Sequence, residues 1–297
     1  MRASLMPRNF VVRRSCAIAV LVLGGCSAPT GSAPLIVPPF VFVSTEGAVP
    51  GIHRFDAGST TRLSADGVDD RDPHSAAGRI VFTSRRDGNP EIYTAAPDLS
   101  GQQRLTTTSA TDDAPALDPT GATIAFVSTR SGAPRVWLMD ANGANPRPLA
   151  TGSATFVPEG GPTWSPTGDR IAFTSTRTNA SQVFVVPVAG GEPVQLSHEA
   201  TGAFTPAWSA DGRSLLYVVL AGGPRVMRVA ASGGDAAAFA IDDVGVSDAE
   251  CRGAICLAAL GTLDGPRDLV VFSTNGRRRV PVLVRDADDR QPAVLVP

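Results

Sequence analysis

One phrase recurs along this chain. Pro115-Ala116-Leu117-Asp118-Pro119-Thr120-Gly121 is followed by Ile124-Ala125-Phe126-Val127-Ser128-Thr129-Arg130, and both parts return as Pro162-Thr163-Trp164-Ser165-Pro166-Thr167-Gly168 with Ile171-Ala172-Phe173-Thr174-Ser175-Thr176-Arg177. Shorter copies stand at Pro206-Ala207-Trp208 with Gly212 and Leu215-Leu216-Tyr217, and at Pro73 with Gly78 and Ile80-Val81-Phe82. The leading prolines at 73, 115, 162 and 206 are 42, 47 and 44 residues apart, the period of a propeller blade. Each copy holds four short apolar pieces separated by turn residues, so each is expected to form a four-stranded antiparallel meander. One such sheet cannot bury both faces alone, and radial stacking supplies the missing cover.

The ends of the chain point to closure. Phe40-Val41-Phe42-Val43-Ser44 matches the second strand of the repeat, with third and fourth strands after it and no first strand before it. Asp288-Asp289-Arg290-Gln291-Pro292 repeats the opening Asp69-Asp70-Arg71-Asp72-Pro73 and supplies that strand. A degenerate copy between Pro206 and Pro292 places Ala249 at the proline position and Cys251 at the Trp position. These copies lead to an all-β, six-bladed β-propeller over 40–297, closed by the C-terminal strand joining the N-terminal ones.

The Pro-x-Trp-Ser-x-x-Gly, Ile-Ala-Phe-x-Ser-x-Arg and apolar-Arg/Gln-Val-aromatic elements resemble the propeller repeats of the TolB family of periplasmic proteins, over roughly residues 40 to 297. By that resemblance, TolB itself carries an additional α/β domain and an N-terminal segment ahead of its propeller. Here a different kind of segment occupies that place.

Arg2, Arg8, Arg13 and Arg14 precede an apolar stretch from Ala17 to Leu23 that is too short to span a bilayer, the pattern of an export signal over residues 1–25. Leu23-Gly24-Gly25-Cys26 resembles the lipobox of bacterial lipoproteins, which makes Cys26 the lipidated mature N-terminus. Ser27 after it implies, by the same resemblance, the outer membrane. Arg13-Arg14 leaves export by the general or the twin-arginine route open. Residues 26–39 are rich in Ser, Ala, Pro and Gly without charge, a flexible tether.

All 26 basic residues are Arg, which removes P-loop, Schiff-base and general-base lysines from consideration. Cleavage before Cys26 takes the formal charge from -2 to -6, so neither nucleic acid nor a polybasic membrane contact is expected. In an oxidising compartment Cys251 and Cys256, flanking Arg252-Gly253, are expected to form a disulfide across a hairpin; two buried thiols are the alternative.

Three residues before the leading prolines stand Asp70, Asp112, Glu159 and Asp289, with Ala203 and Val246 in the other two copies. First strands line a propeller's axis, so these acids are expected at one channel mouth, with Arg86, Arg130 and Arg177 from the loops after the second strands on the same face. Three readings apply: carboxylate–Arg pairs between adjacent blades that fix blade spacing, a binding surface for a basic peptide, protein segment or sugar, or a site for Ca²⁺, which needs six to eight oxygens. Otherwise no cofactor is indicated. Trp164 and Trp208 read as blade packing. No Gly-x-Ser-x-Gly elbow occurs, and His53, His74 and His198 fall at different repeat positions, which argues against a histidine metal centre. The sequence therefore points to a monomeric, lipid-anchored propeller that binds an envelope protein or peptide. A glycan-active enzyme using the channel-mouth carboxylates is the other function it allows.

Overall fold

The computed structural model describes residues 37–46, 49–150, 161–220, 225–239, 246–252, 255–261, 267–273, 279–283 and 289–294. The export signal, Cys26 and Glu159 lie outside them, as do the side chains of Cys251 and Asp289. Among the described residues no helix is long and apolar enough to cross a membrane.

The secondary structure of the described residues is all strand. β1 (Phe40–Ser44), β2 (Gly51–Asp56) and β3 (Ser59–Arg62) begin the first sheet. The second holds β4 (Asp70–Ala76), β5 (Arg79–Ser84), β6 (Glu91–Ala95) and β7 (Gln103–Arg104), and the third β8 (Asp112–Leu117), β9 (Thr123–Ser128), β10 (Arg135–Asp140) and β11 (Arg147–Pro148). The fourth is β12 (Thr163–Trp164), β13 (Arg170–Thr178), β14 (Ala180–Pro187) and β15 (Val194–Gln195), and the fifth β16 (Ala203–Trp208), β17 (Ser214–Val219), β18 (Arg225–Ala230) and β19 (Ala237–Ala238). After them come β20 (Val246–Arg252), β21 (Ile255–Gly261), β22 (Arg267–Ser273) and β23 (Arg279–Leu283), and last β24 (Asp289–Val294). Every sheet is an antiparallel meander, and β24 pairs with β1 through Phe40↔Val294 and Ser44↔Asp289, so one sheet joins both parts of the chain. First strands touch first strands all the way round.

The expectation of six blades is corrected to five built on the repeat, each bringing one leading proline (Pro73, Pro115, Pro162, Pro206 or Pro292) to the axis. The sheet of β20–β23 stands between β16 and β24 but is made differently. Its first two strands turn between Arg252 and Ile255, where the third sheet has a longer connection from Leu117 to Ile124. Its outer strand has five residues, whereas β7, β11, β15 and β19 have two. Its inner strand shifts register between Val246 and Asp248, but Ala249 stands where the others carry proline, the residue around which their inner strands take their shape.

That shape is a bulge. Pro has no N–H to give to a ladder and is tolerated in a sheet only at an edge or bulge. In β4, β8, β16 and β24 the register breaks across the proline and the residue before it, as between Asp113 and Ala116. The preceding residue takes a left-handed conformation: Asp72 (φ 50°), Ala114 (49°), Thr205 (46°) and Gln291 (50°). Such strain persists only where the surroundings fix it.

Second strands are buried on both faces, which is why they read as continuous apolar runs. Phe40 and Phe42 pack with Leu257 and Leu269 on one side of the first sheet, and Val41 and Ile52 with Ile80 and Phe82 on the other. The same division repeats at the next junctions: Val81 and Ile92 meet Ile124 and Phe126, and Ala125 and Leu138 meet Trp164 and Phe173. The turn after β8 ends on Gly121, whose φ is 72° and whose added Cβ would stand 2.8 Å from that of Ala77 in the preceding blade. Glycine answers both demands there.

Candidate functional site

A cavity of about 230 Å³ lies at the axis, between the bulges and the turns that carry Pro119 and Pro166. Its wall contains the five leading prolines and the four left-handed residues before them, with Gly161 in the fifth place. Proline, alanine and glycine have no side-chain rotamers to lose when a ligand enters, and a preformed, mostly apolar concavity is what a ligand site requires.

Trp164 and Trp208 belong to the wall as well as to the core. Each donates its indole N–H to a carbonyl of the preceding blade, Trp164 to Ala116 O at 2.9 Å and Trp208 to Thr163 O at 3.2 Å. The guanidinium of Arg170 stands 4.7 Å from the Trp208 ring. These hydrogen bonds stitch blades together, in keeping with the packing role expected of both residues. His74 likewise accepts the Leu117 N–H on Nδ1 at 3.1 Å.

Polarity in the wall is concentrated at one point. The Gln291 side chain accepts the backbone N–H of Asp72 at 3.2 Å and donates its amide to the Asp72 carboxylate. Burial pushes the Asp72 carboxyl above the usual range, while hydrogen bonds from Thr83 and Gln291, the charge of Arg71 and the Ala114 amide favour its charged form. Asp113, in the bulge of the next blade, is pushed up to about 6 by burial and by the charges of Asp72 and Asp112, with Arg85 opposing. Neither Asp72 nor the prolines were singled out as site residues from sequence. The signal lay in the X-Pro pair within an inner strand, where the missing N–H is accommodated by a bulge that sets X in the cavity wall.

Of the acids and arginines singled out, Asp70, Asp112, Arg86, Arg130 and Arg177, which are described, do not line this cavity. Asp70 is fully buried, accepting Ser64 Oγ at 2.8 Å and Arg86 Nη2 at 3.1 Å on both oxygens. Arg86 in turn donates Nε to Ser84 Oγ at 2.8 Å and stacks 4.6 Å from the Tyr93 ring. The third sheet repeats the unit: Arg130 Nη2 meets Asp112 at 2.7 Å, its Nε meets Ser128 Oγ at 2.9 Å, and its guanidinium covers Trp137 at 4.8 Å. Arg177 stacks 5.3 Å from Phe184. The ion pairs therefore form within a blade rather than between adjacent blades, because Asp70 and Asp112 stand directly opposite Ser84 and Ser128, two residues before the Arg. Ser64 Oγ and Thr108 Oγ1, each from the preceding blade, cross a boundary to Asp70 and Asp112.

Cys251 and Cys256 face each other in the ladder, and Cys256 is buried. Among the described residues no group of His, Cys, Asp and Glu is placed to hold a metal ion.

No family model matches the chain. Among solved structures it is similar to TolB from Acinetobacter baumannii, with a TM-score of 0.73 and 18% identity over 86% of this chain. The chain spans 66% of the length of that protein. It is also similar to a putative TolB from Agrobacterium tumefaciens (TM-score 0.68, 15% identity, 86% of this chain and 91% of that one). A third likeness is to a chain of a nidogen–laminin complex (TM-score 0.66, 12% identity, 87% and 98%). The chain thus has the fold of a TolB-type propeller.

Proposed function

We propose that this protein is an exported, lipid-anchored propeller of the bacterial cell envelope that binds a segment of another protein in the cavity at its axis. The cavity carries this reading: a wall of rigid residues held by bulges and inter-blade hydrogen bonds is ready for a ligand before the ligand arrives. Likeness to TolB proteins and to a chain of a nidogen–laminin complex supports a binding role. The acids that hydrolysis of a glycan would need, Asp70 and Asp112, are buried in ion pairs with Arg86 and Arg130, which favours binding over catalysis. We assign those pairs to the scaffold, and with them Glu159 and Asp289, which hold the same position in their repeats.

The leader supports removal of residues 1–25, a lipid on Cys26, a tether over 26–39 and sorting to the outer membrane through Ser27. The opposed positions of Cys251 and Cys256, in a chain bound for an oxidising compartment, support a disulfide between them. Mass spectrometry of the native protein, with and without reduction, reads both modifications.

The test of the binding role is a photo-crosslinking amino acid at Thr163, a partly exposed position in the cavity wall. In cells it should capture one envelope protein that the same group at exposed Val194, on an outer strand, does not. Equal capture from both positions, or none from Thr163, would show that the cavity is not the binding site.

A further inference from the structure

We infer that the cavity selects a cationic group on an apolar stem, an ammonium or guanidinium such as a Lys or Arg side chain of the partner, and that Asp72 is the residue that selects it. This rests on the cavity reading above and adds the chemistry of its occupant.

Charge complementarity carries the inference. Along the described wall Asp72 is the one carboxylate, and no Arg lines the cavity, although the charge of Arg71 is felt at Asp72; the remaining lining is proline, small or apolar residues, two Trp, His74 and uncharged polar groups. The carboxylate is also left without an ion-pair partner. Arg71, its sequence neighbour, is committed to Asp69, with Nε at 2.6 Å and Nη2 at 3.1 Å from the two oxygens, and Arg85 lies 3.7 Å from the same Asp69. The fully buried acids of the inner strands have their cation: Asp70 has Arg86 and Asp112 has Arg130. Asp72 and Asp113 have no such pair, and of the two Asp72 lines the cavity.

Its geometry suits a receptor. The left-handed backbone at φ 50° and the two-way contact with Gln291 hold the carboxylate against the cavity, so little order is lost when a cation meets it. An apolar stem would lie along the prolines while the charged end reaches Asp72. A carboxylate on the ligand would be repelled, and a neutral ligand would gain the apolar contacts alone.

The probes are phenethylamine and its uncharged counterpart 2-phenylethanol, both small enough for a cavity of about 230 Å³, followed by ligand-observed NMR and calorimetry on the full chain. The amine should bind about tenfold more tightly than the alcohol, the worth of one charge-assisted hydrogen bond, and this advantage should shrink as salt is raised. Asp72→Asn should bring the two probes to similar affinity, and Thr163→Trp, which fills the cavity, should abolish binding of both. If amine and alcohol bind the wild-type protein equally and Thr163→Trp abolishes both, the cavity reading stands and the role of Asp72 falls. If neither probe binds, or if the amine still binds Thr163→Trp, the cavity is not a receptor for such ligands and both readings fall. The comparison of two probes on the wild-type protein does not depend on how any Asp72 variant folds.

Discussion

Asp113→Asn should stabilise this protein at neutral pH and do nothing for it in acid. Asp113 lies in the bulge of β8, with its carboxyl raised from 3.8 to about 6 by burial and by the charges of Asp72 and Asp112. An acid with a raised folded-state pKa costs stability wherever the unfolded chain has already ionised. Below pH 4 both states are protonated and the cost is absent; it grows through the window from 4 to 6 and is complete above it. Two units correspond to about 3 kcal/mol, and because Asp113 keeps some contact with water about 1–2 kcal/mol is the realistic share. Asn is nearly isosteric and cannot ionise, so the variant recovers that share. For a domain of this size it raises the melting temperature by roughly 2–6 °C at pH 7.5. Calorimetric melts of both proteins from pH 4 to 8 should start together and separate through the window. Curves that stay parallel, or a variant less stable at pH 7.5, would refute the idea that Asp113 is a destabilising charge.

Arg130→Ala should cost more than most surface changes, about 3–5 kcal/mol by denaturant unfolding, because it leaves the fully buried Asp112 carboxylate with only Thr108 Oγ1 at 3.4 Å; a loss below 1 kcal/mol would remove the pair from the scaffold. Gly121→Ala should lose about 1–3 kcal/mol, since it meets both a left-handed backbone and the Ala77 methyl, while Gly101→Ala, left-handed but with open space around it, should lose less. Deleting residues 292–297 should lower the melting temperature far more than an equal cut in the tether, because it exposes the edge of β1. Cys26→Ala should move the protein from the membrane to the soluble fraction on cell fractionation, and an unacylated native N-terminus would exclude the lipid anchor.

What could be read in the sequence followed from periodicity. The recurring Pro and Ile-Ala-Phe phrases located the inner and second strands because each blade must bury the same faces against its neighbours. Even the joining of β24 to β1 was visible, since Asp289 to Pro292 repeats the spelling of Asp70 to Pro73. Between Pro206 and Pro292 the spacing alone suggested another equal blade, but spacing does not report how a sheet is built, and this one turns and ends differently. The acids and arginines drew attention as chemistry-bearing residues, yet Asp70 and Asp112 were matched to their own arginines by a register that only pairing reveals. Conversely, the cavity wall is made of proline, alanine and glycine, residue types that announce turns rather than sites. Asp72 was passed over because its place in the wall comes from a backbone angle and from the commitment of Arg71 to Asp69, neither of which is written in its letter.

The seam between β1 and β24 sets the order in which this molecule can mature. Its two partners, Phe40 and Val294, lie about 250 residues apart in sequence, so the entropic cost of bringing them together has to be met by contacts made elsewhere first. Blades from β4 onward can assemble from neighbouring residues as they appear, whereas β1 waits with its inner edge open until residues 289–294 arrive. Pro292 of that same strand is also part of the cavity wall. An unfinished ring therefore has an incomplete cavity wall, and the proposed site exists only in molecules that have closed.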